Sequence, residues 1–256
     1  MILALTRNVS PAMASCELTH LERVPIDPAV AARQHQRYEE ALARLGCRVE
    51  HVAAAPTLPD SVFIEDTAVV VDELAVMARP GAASRQAEVD GVADALRRYR
   101  PLAAITAPGT LDGGDVLRVG RTVYVGQSGR TNDDGIAQLR AHLAPYGYEV
   151  RAVRPTGCLH LKTAVTAVSD AAVLLNPEWI SPSLFDGFEV IAVDRSEPFA
   201  ANVVRVGSAI LTASAFPGTR QVLEQHGVEV HVVDVSELAK AEGAVTCCSI
   251  LLRVPA

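Results

Sequence analysis

A unit of hairpin, helix or short turn, and strand recurs about every 40 to 50 residues, and it constrains the fold more than any other feature. Four hairpins are predicted where turn residues separate two apolar, β-rich runs: FIEDTAVVVDELAVMAR, GGDVLRVGRTVYVGQ, LKTAVTAVSDAAVLLNP and NVVRVGSAILTASA. The chain ends supply a fifth unit: the strand TCCSILLRV, then MILALTR, a helix at DPAVAARQHQRYEEALARLG and a strand at CRVEHVA. The sequence therefore predicts one α/β domain over residues 1–256, a ring of five units closed by pairing of the C-terminal and N-terminal strands.

Composition and charge exclude several classes of function. The net charge is -7 and the basic residues are scattered, which argues against nucleic acid or an anionic membrane as partner. MILALTRNVSP is too short an apolar start for a signal peptide, and no apolar run reaches the roughly 18 residues of a membrane span. The 5 cysteines are an odd number without framework spacing, so we expect a reduced, cytoplasmic protein. They are Cys16, Cys47, Cys158, Cys247 and Cys248. We expect a monomer or a homodimer, and the sequence does not decide between them.

Polar residues begin several of the hairpins, at the same stage of different repeats. They are Asp60, Glu65 and Asp66 in LPDSVFIEDTAVV, Asp112 and Asp115 in TLDGGDVL, His160 in CLHLKT and Cys247 in TCCS. The glycines at 113 and 114 allow a close approach of the backbone. A single Asp beside Gly is usually a solvated turn residue, and a single buried His is as often structural as functional. Four such stretches in one ring instead indicate a shared site.

Strand alternation assigns different environments to the adjacent cysteines. If TCCSILLRV is a strand throughout, Cys248 shares an apolar face with Ile250 and Leu252. Cys247 then lies on the opposite, mixed face, with Ser249 and Leu251. The same alternation places His160 with Cys158 and Lys162. We therefore predict that Cys247 faces the shared site and Cys248 faces the core.

A thiol, an imidazole and several carboxylates around one axis indicate nucleophilic catalysis. Zinc is the main competing use of Cys and His, but Cys247 and Cys248 point apart and make a poor chelating pair. The acidic residues indicate a cationic substrate, and a planar guanidinium matches paired carboxylates in bidentate geometry. The same carboxylates are expected to hold the pKa of the Cys247 thiol near or above its usual value until a cation binds.

Six motifs resemble those of the dimethylarginine dimethylaminohydrolases, which belong to the pentein superfamily of guanidino-modifying enzymes. The motifs are LPDSVFIEDTAVV, RPGAASR, LDGGDVL, VGQSGRTN, LHLKTAVT and TCCSILL, and the resemblance extends from LTRNVSP to the last strand. It implies a five-fold pseudosymmetric α/β propeller. It also implies hydrolysis of Nω-methylated L-arginine to citrulline and methylamine or dimethylamine, without a metal or organic cofactor.

The resemblance also implies roles for individual residues. Cys247 would be the nucleophile, His160 the general acid and then base, and Asp112 the residue that orients His160. The substrate would be bound by Leu18 (on a mobile lid), Asp60, Glu65, Asp66, Arg85, Arg130 and the backbone carbonyl of Ala241. In this set Asp66 would hold the guanidinium, and the two arginines would clamp the α-carboxylate. Each arginine could otherwise be an ordinary surface charge.

The chain departs from the family before TCC, where Ala241-Glu242 replaces a bulkier aliphatic residue, so the fit around the substrate's stem is open. The implied mechanism is thiolate attack on the guanidinium carbon, loss of the amine and hydrolysis of a covalent thiouronium. Zinc held between Cys247 and His160 would inhibit.

Related activities remain open at this stage. An arginine deiminase would share the catalytic set, but those enzymes usually carry an added helical domain, and amidinotransferases are longer. A hydrolase of hydroxy-arginine is harder to exclude, because the size of the pocket decides it. A non-enzymatic pentein, such as a ribosome anti-association factor, would lack the set formed by Cys247, His160, Asp112 and Asp66.

Overall fold

The computed structural model describes residues 1–255, which form five three-stranded β-sheets connected by helices and turns. The strands are β1 (Ile2–Thr6), β2 (Cys47–His51), β3 (Ala68–Val70), β4 (Ala75–Met77), β5 (Leu102–Ala104), β6 (Val116–Val119), β7 (Thr122–Gly126), β8 (Glu149–Val153), β9 (Val165–Ala167), β10 (Ala172–Leu175), β11 (Glu189–Ala192), β12 (Val204–Val206), β13 (Ala209–Ala213), β14 (Glu229–Val233) and β15 (Ile250–Arg253). The α-helices are α1 (Pro28–Arg44), α2 (Val89–Leu96), α3 (Asp133–Leu143), α4 (Leu161–Ala164), α5 (Pro217–Gln225) and α6 (Ser236–Ala239). The 3₁₀ turns are Met13–Ser15, Ile64–Thr67, Ala83–Glu88, Gly113–Asp115, Ala144–Tyr146 and Pro182–Phe185.

All five sheets have the same topology. In each, the middle strand pairs antiparallel with the strand that precedes it in the unit and parallel with the strand that follows. The fifth sheet has the order β15-β1-β2, so the two ends of the chain lie in one sheet. Its antiparallel register runs from Ile2 opposite Arg253 to Leu5 opposite Ile250. The predicted five-fold α/β propeller and its closure by the terminal strands are confirmed.

Burial explains why these segments form strands and amphipathic helices. The middle strands are almost fully buried, as in AVLL of β10 and AILTA of β13, which matches their continuous apolar sequences. Helix α1 begins at Pro28, where the Asp27 side chain accepts hydrogen bonds from the backbone N–H groups of Ala29 and Val30. One face of α1 is buried, including Tyr38 and Leu42 at helical spacing. Among residues 1–255, no helix is long and apolar enough to span a membrane.

Two strands next to the site, β9 and β15, begin later than the sequence pattern predicted. β15 begins at Ile250, and Cys247 and Cys248 lie in the turn before it. His160 ends a bend, and Leu161 begins the single turn of α4. Alternation along a strand was therefore the wrong reason for separating the two cysteines and for grouping His160 with Cys158. Short turns, which close before the strands start, orient these side chains instead.

Candidate active site

The turn before β15 gives the two cysteines different surroundings. Cys247 is 9% exposed and lines a cavity together with His160 and Glu65, whereas Cys248 is fully buried. The backbone of Cys247 is fixed at both ends: its N–H donates to the Ala244 carbonyl at 3.2 Å, and its carbonyl accepts from Glu65 N–H at 3.2 Å. The prediction of an inward Cys248 and a site-facing Cys247 therefore agrees with the structure, for a different physical reason.

His160 is held by two carboxylates. Its Nε2 lies 3.1 Å from Asp112 Oδ2, and its Nδ1 lies 3.9 Å from Asp66 Oδ1. Asp112 is itself fixed, because its Oδ1 accepts a hydrogen bond from Gly81 N–H at 2.8 Å. His160 and Asp112 are 6% and 0% exposed, so this pair is shielded from solvent. The arrangement fixes one ring orientation at the cavity wall.

The glycines of TLDGGDVL are required by close packing at this point. A Cβ atom at Gly114 would lie 2.6 Å from His160 Nδ1 and 2.8 Å from Asp66 Oδ1. A Cβ atom at Gly113 would clash with the Glu65 carbonyl. The predicted close approach of the backbone is confirmed, and Gly114 N–H uses it to donate to Asp66 Oδ1 at 2.9 Å.

Arg85 forms ion pairs with two buried carboxylates, those of Asp66 and Glu88. Its Nη1 is 2.6 Å from Asp66 Oδ2 and its Nη2 is 2.9 Å from Glu88 Oε2, with a further bond to the Phe63 carbonyl at 3.1 Å. Glu65 forms a second pair, with Lys162 Nζ at 2.5 Å from its Oε1. Asp66 is thus already paired with a protein guanidinium at the place where a substrate guanidinium is expected.

The two arginines of the predicted clamp are buried, so the surface-charge alternative was wrong for both. Arg85 is 5% exposed and Arg130 is 9% exposed. The Nη2 of Arg130 donates to Thr19 Oγ1 at 2.8 Å. Thr19 and Leu18 lie on the covering loop, residues 16–27, between the 3₁₀ turn Met13–Ser15 and α1. Asp60 meets the same loop, since its Oδ2 accepts from Glu17 N–H at 3.0 Å.

Two cavities meet at Cys247 and His160. The larger, of about 320 Å³, has a mainly apolar wall that includes Leu159, Phe199 and Phe216. The smaller, of about 20 Å³, is lined by most of the residues for which substrate binding was predicted. They are Asp60, Asp66, Arg85, Arg130 and Ala241, together with His160 and Cys247. Leu18 lies half-buried on the covering loop, Glu65 lines the larger cavity, and Asp112 lies behind His160.

The electrostatics of the site oppose a thiolate and favour an imidazolium. Burial, Glu65 and Asp66 raise the pKa of Cys247 to about 12. Burial also works against a charged His160, but Asp66, Asp112 and Asp115 outweigh it and raise the pKa of His160 to about 9. Burial likewise disfavours the charge of Asp66, yet His160 and Arg85 lower its pKa to about 2. Near neutral pH the resting site therefore contains a thiol, an imidazolium and a carboxylate.

Asp66, Asp112 and His160 bring three potential metal-ligand atoms within 4.8 Å of one another. Their direct bonds to each other and to Arg85 explain this cluster without a cation. Cys247 does not belong to the group, and zinc bound between Cys247 and His160 stays a prediction.

Sequence reasoning missed residues that complete the site. Asn202 and Thr246 are 4% and 6% exposed, line the larger cavity and bind each other next to Cys247. The available signal was positional, because ANVV occupies the same stage of its repeat as the four stretches that carry charged or thiol side chains. An amide before a strand is commonly a turn residue, which explains the omission.

Comparison with known proteins assigns the chain to a class and a family. Residues 22–253 match the family model described as N,N dimethylarginine dimethylhydrolase, eukaryotic. The fold class is shared at lower identity: the N-terminal domain of a cyanobacterial arginine dihydrolase superposes with a TM-score of 0.85, at 20% identity over 98% of each chain. Among proteins with this fold, this protein belongs to the dimethylarginine dimethylaminohydrolase family.

Individual relatives support the family assignment. An N(G),N(G)-dimethylarginine dimethylaminohydrolase of Streptomyces coelicolor is 44% identical over 253 residues, which are 98% of this chain and 96% of that protein. The enzyme of the same name from Pseudomonas aeruginosa is 34% identical over 226 residues, covering 88% and 89%. A solved structure of that enzyme, a Cys-to-Ser mutant with citrulline, has a TM-score of 0.93 at 31% identity and covers 97% of this chain and 98% of that one.

Proposed function

We propose that this protein hydrolyses Nω-methylated L-arginine, both monomethylated and asymmetrically dimethylated, to L-citrulline and methylamine or dimethylamine. The observation that carries the proposal is the convergence of Cys247, His160 and Asp66 on one buried site in a member of this family. Glu65 and Asp66 supply the negative field that a guanidinium requires.

The resting charges give the order of events. A guanidinium placed beside Glu65 and Asp66 cancels the field that raises the pKa of Cys247, and the thiol then loses its proton to solvent. The thiolate adds to the guanidinium carbon and forms a tetrahedral adduct. His160, already an imidazolium, donates its proton to the ω-nitrogen, and the C–N bond breaks to release the amine.

The second half of the reaction uses the neutral imidazole left behind. His160 takes a proton from water, and the hydroxide adds to the carbon of the S-linked thiouronium. The C–S bond then breaks and the electron pair returns to the Cys247 sulfur. The hydroxyl proton passes to that sulfur as the citrulline carbonyl forms, which restores the resting thiol and imidazolium. Asp112 holds the imidazole in one orientation through both transfers. No step requires a cofactor.

For binding, Asp66 would hold the guanidinium, while Asp60 and Glu65 would accept bonds from the α-amino group or nearby guanidine nitrogens. Arg85 and Arg130 would clamp the α-carboxylate, Ala241 would contribute its carbonyl, and Leu18 would cover the substrate from the loop. Their lining of the small cavity supports these roles for all but Glu65 and Leu18. We expect one catalytic unit over residues 1–256, acting in the cytoplasm as a monomer or homodimer on a small molecule, without nucleic acid or membrane.

Citrulline release from dimethylarginine, monomethylarginine, arginine and hydroxy-arginine, measured in parallel, tests the proposal. Both methylated substrates should have a higher kcat/KM than arginine. A preference for arginine would identify a deiminase, and a preference for hydroxy-arginine would identify a related guanidine hydrolase. Release from none of the four would favour a binding protein.

A further inference from the structure

Asn202 joins the two segments that carry the nucleophile and the general acid. Its Nδ2 donates to Thr246 Oγ1 at 3.0 Å and to the Lys162 carbonyl at 3.2 Å, and its Oδ1 accepts from Thr246 N–H at 3.1 Å. Thr246 immediately precedes Cys247, and Lys162 follows His160 by two positions. One buried amide therefore bonds the backbone of the segment that carries Cys247 and the backbone of the segment that carries His160.

The chemistry of its partners fixes the orientation of this amide. A backbone N–H can only donate and a backbone carbonyl can only accept, so Oδ1 must face Thr246 N–H and Nδ2 must face Lys162. Both N–H groups of Nδ2 and the acceptor oxygen are thereby used. A side chain that is 4% exposed and fully bonded in this way has little freedom to move.

The bonds continue into a closed circuit. Thr246 Oγ1 accepts from Asn202 and donates its own proton to Glu65 Oε2 at 2.7 Å. Glu65 Oε1 accepts from Lys162 Nζ at 2.5 Å, and the Lys162 carbonyl returns to Asn202. Glu65 N–H also holds the Cys247 carbonyl. The circuit links the segments before β3, β9, β12 and β15, and Asn202 is the contribution of the segment before β12.

We propose that Asn202 is a positioning residue for this reaction: it sets the distance between Cys247 and His160 by bonding the segment of each. The inference rests on the proposed function in taking Cys247 as nucleophile and His160 as acid. A displacement of about 1 Å between reacting groups can cost about 10²-fold in rate, so a residue without direct contact to the substrate can control turnover.

Asn202→Ala should lower kcat by about 10- to 100-fold and leave KM nearly unchanged, since the substrate-binding side chains keep their own partners. Asn176→Ala is the matched control. Asn176 is also 4% exposed, and its side chain donates to the Pro198 carbonyl at 3.0 Å and accepts from Glu178 N–H at 2.9 Å, without a hydrogen bond to either catalytic segment. Its backbone N–H donates to the Ala164 carbonyl, and the substitution keeps that bond. Loss of the Asn176 side chain should lower the thermal midpoint to a similar degree and leave kcat intact.

Asn202→Asp keeps the shape and the acceptor for Thr246 N–H but places an oxygen against the Lys162 carbonyl. It should remain folded and turn over slowly. Combining Asn202→Ala with Thr246→Val should cost less than the sum of the two changes, because both act on one circuit. Equal kcat in wild type and Asn202→Asp, or equal kcat losses in Asn202→Ala and Asn176→Ala, would overturn the proposal.

Alkylation separates this inference from the proposed function. The rate at which a haloacetamidine modifies Cys247, followed by intact mass, does not depend on hydrolysis of any substrate. If wild type releases no citrulline, the proposed function fails, yet slower alkylation in Asn202→Ala than in Asn176→Ala still supports positioning. If wild type hydrolyses methylated arginine and Asn202→Ala is alkylated and turns over at the wild-type rate, only the positioning role fails.

Discussion

The turns at the centre of the ring and the loop that covers them are built in opposite ways. The central groups Cys247, His160, Asp66 and Asp112 are at most 9% exposed and lie in segments joined by several buried bonds. The covering loop exposes Leu21 and Val24 at 45% each. It is attached chiefly by side chains that bind its backbone, above all the Glu242 carboxylate.

The difference assigns the chemical steps to the central turns and the entry of substrate to the covering loop. A reacting centre whose position is set by many bonds tolerates little displacement, and a cover held by few bonds can open at small cost. The small cavity of about 20 Å³ is far below the roughly 300 Å³ of a ligand pocket, so a substrate that contacts all of the proposed binding residues requires the cover to move. The central residues should therefore govern kcat, and the loop contacts should govern KM.

The largest expected effect is at Cys247. Cys247→Ser should abolish turnover and covalent adduct formation, because an alcohol in this negative field has no means of ionising. Cys248→Ser, its matched neighbour, should keep turnover and lose about 1–3 kcal/mol of stability if the buried hydroxyl finds no partner. Citrulline assays, intact mass and denaturant titration measure these outcomes. Activity in the first variant but not the second would reverse the assignment of the pair.

The raised pKa of Cys247 predicts how it reacts with an uncharged reagent. Below a pKa of about 12 the thiolate fraction rises about tenfold per pH unit, so alkylation by iodoacetamide should keep rising between pH 7 and 9. Glu65→Gln removes a negative charge beside the thiol and should accelerate alkylation at pH 7 while slowing turnover. A plateau below pH 8 in the wild type would show that the thiol ionises without help from a bound cation.

The two arginines should differ although both line the small cavity. Arg85 pairs with Asp66 and Glu88 in the buried centre, so Arg85→Ala removes the guanidinium that both carboxylates share and should cost about 3–5 kcal/mol of stability. Arg130 instead reaches Thr19 on the cover, and Arg130→Ala should mainly raise KM. Thermal unfolding and steady-state kinetics of both variants measure the contrast, with Arg85→Lys as the charge-preserving control. Equal stability losses in Arg85→Ala and Arg130→Ala would contradict the distinction between the central turns and the covering loop.

The same contrast explains what could be read from the sequence. Apolar periodicity predicted the hairpins, the ring and the strand that closes it, because middle strands must be buried continuously. Cys247 and His160 were found as residues, but their surroundings were assigned from strand alternation in segments that are turns. Glu242 accepts a hydrogen bond from the backbone of Thr19, a residue 223 positions away in the sequence. No periodic pattern connects the two residues, so this bond could not have been predicted.

The smallest expected effect concerns the hydrogen bonds between Glu242 and the covering loop. Glu242 Oε1 accepts from the backbone N–H groups of Thr19 at 3.1 Å, His20 at 2.5 Å and Leu21 at 2.7 Å. These bonds face solvent, so we expect Glu242→Gln to cost only about 1 kcal/mol of loop closure, which corresponds to a several-fold change in KM with kcat unchanged. Hydrogen exchange at residues 19–21 should accelerate, whereas exchange at residues 246–248 should not.

Two further variants separate the carboxylate from the backbone on which it stands. Glu242 has a φ of 58°, in the left-handed region, and Glu242→Gly accepts that conformation without strain while deleting all three bonds. Glu237→Gln is the matched control, because Glu237 accepts from Asp27 N–H at 3.0 Å at the start of α1 and makes no bond to residues 19–21. If Glu242→Gly raises KM and loosens residues 19–21 at least as much as Glu242→Gln, the carboxylate holds the cover closed. If neither variant differs from Glu237→Gln, the loop is held by its other contacts, and the bond from Arg130 to Thr19 becomes the one to remove next.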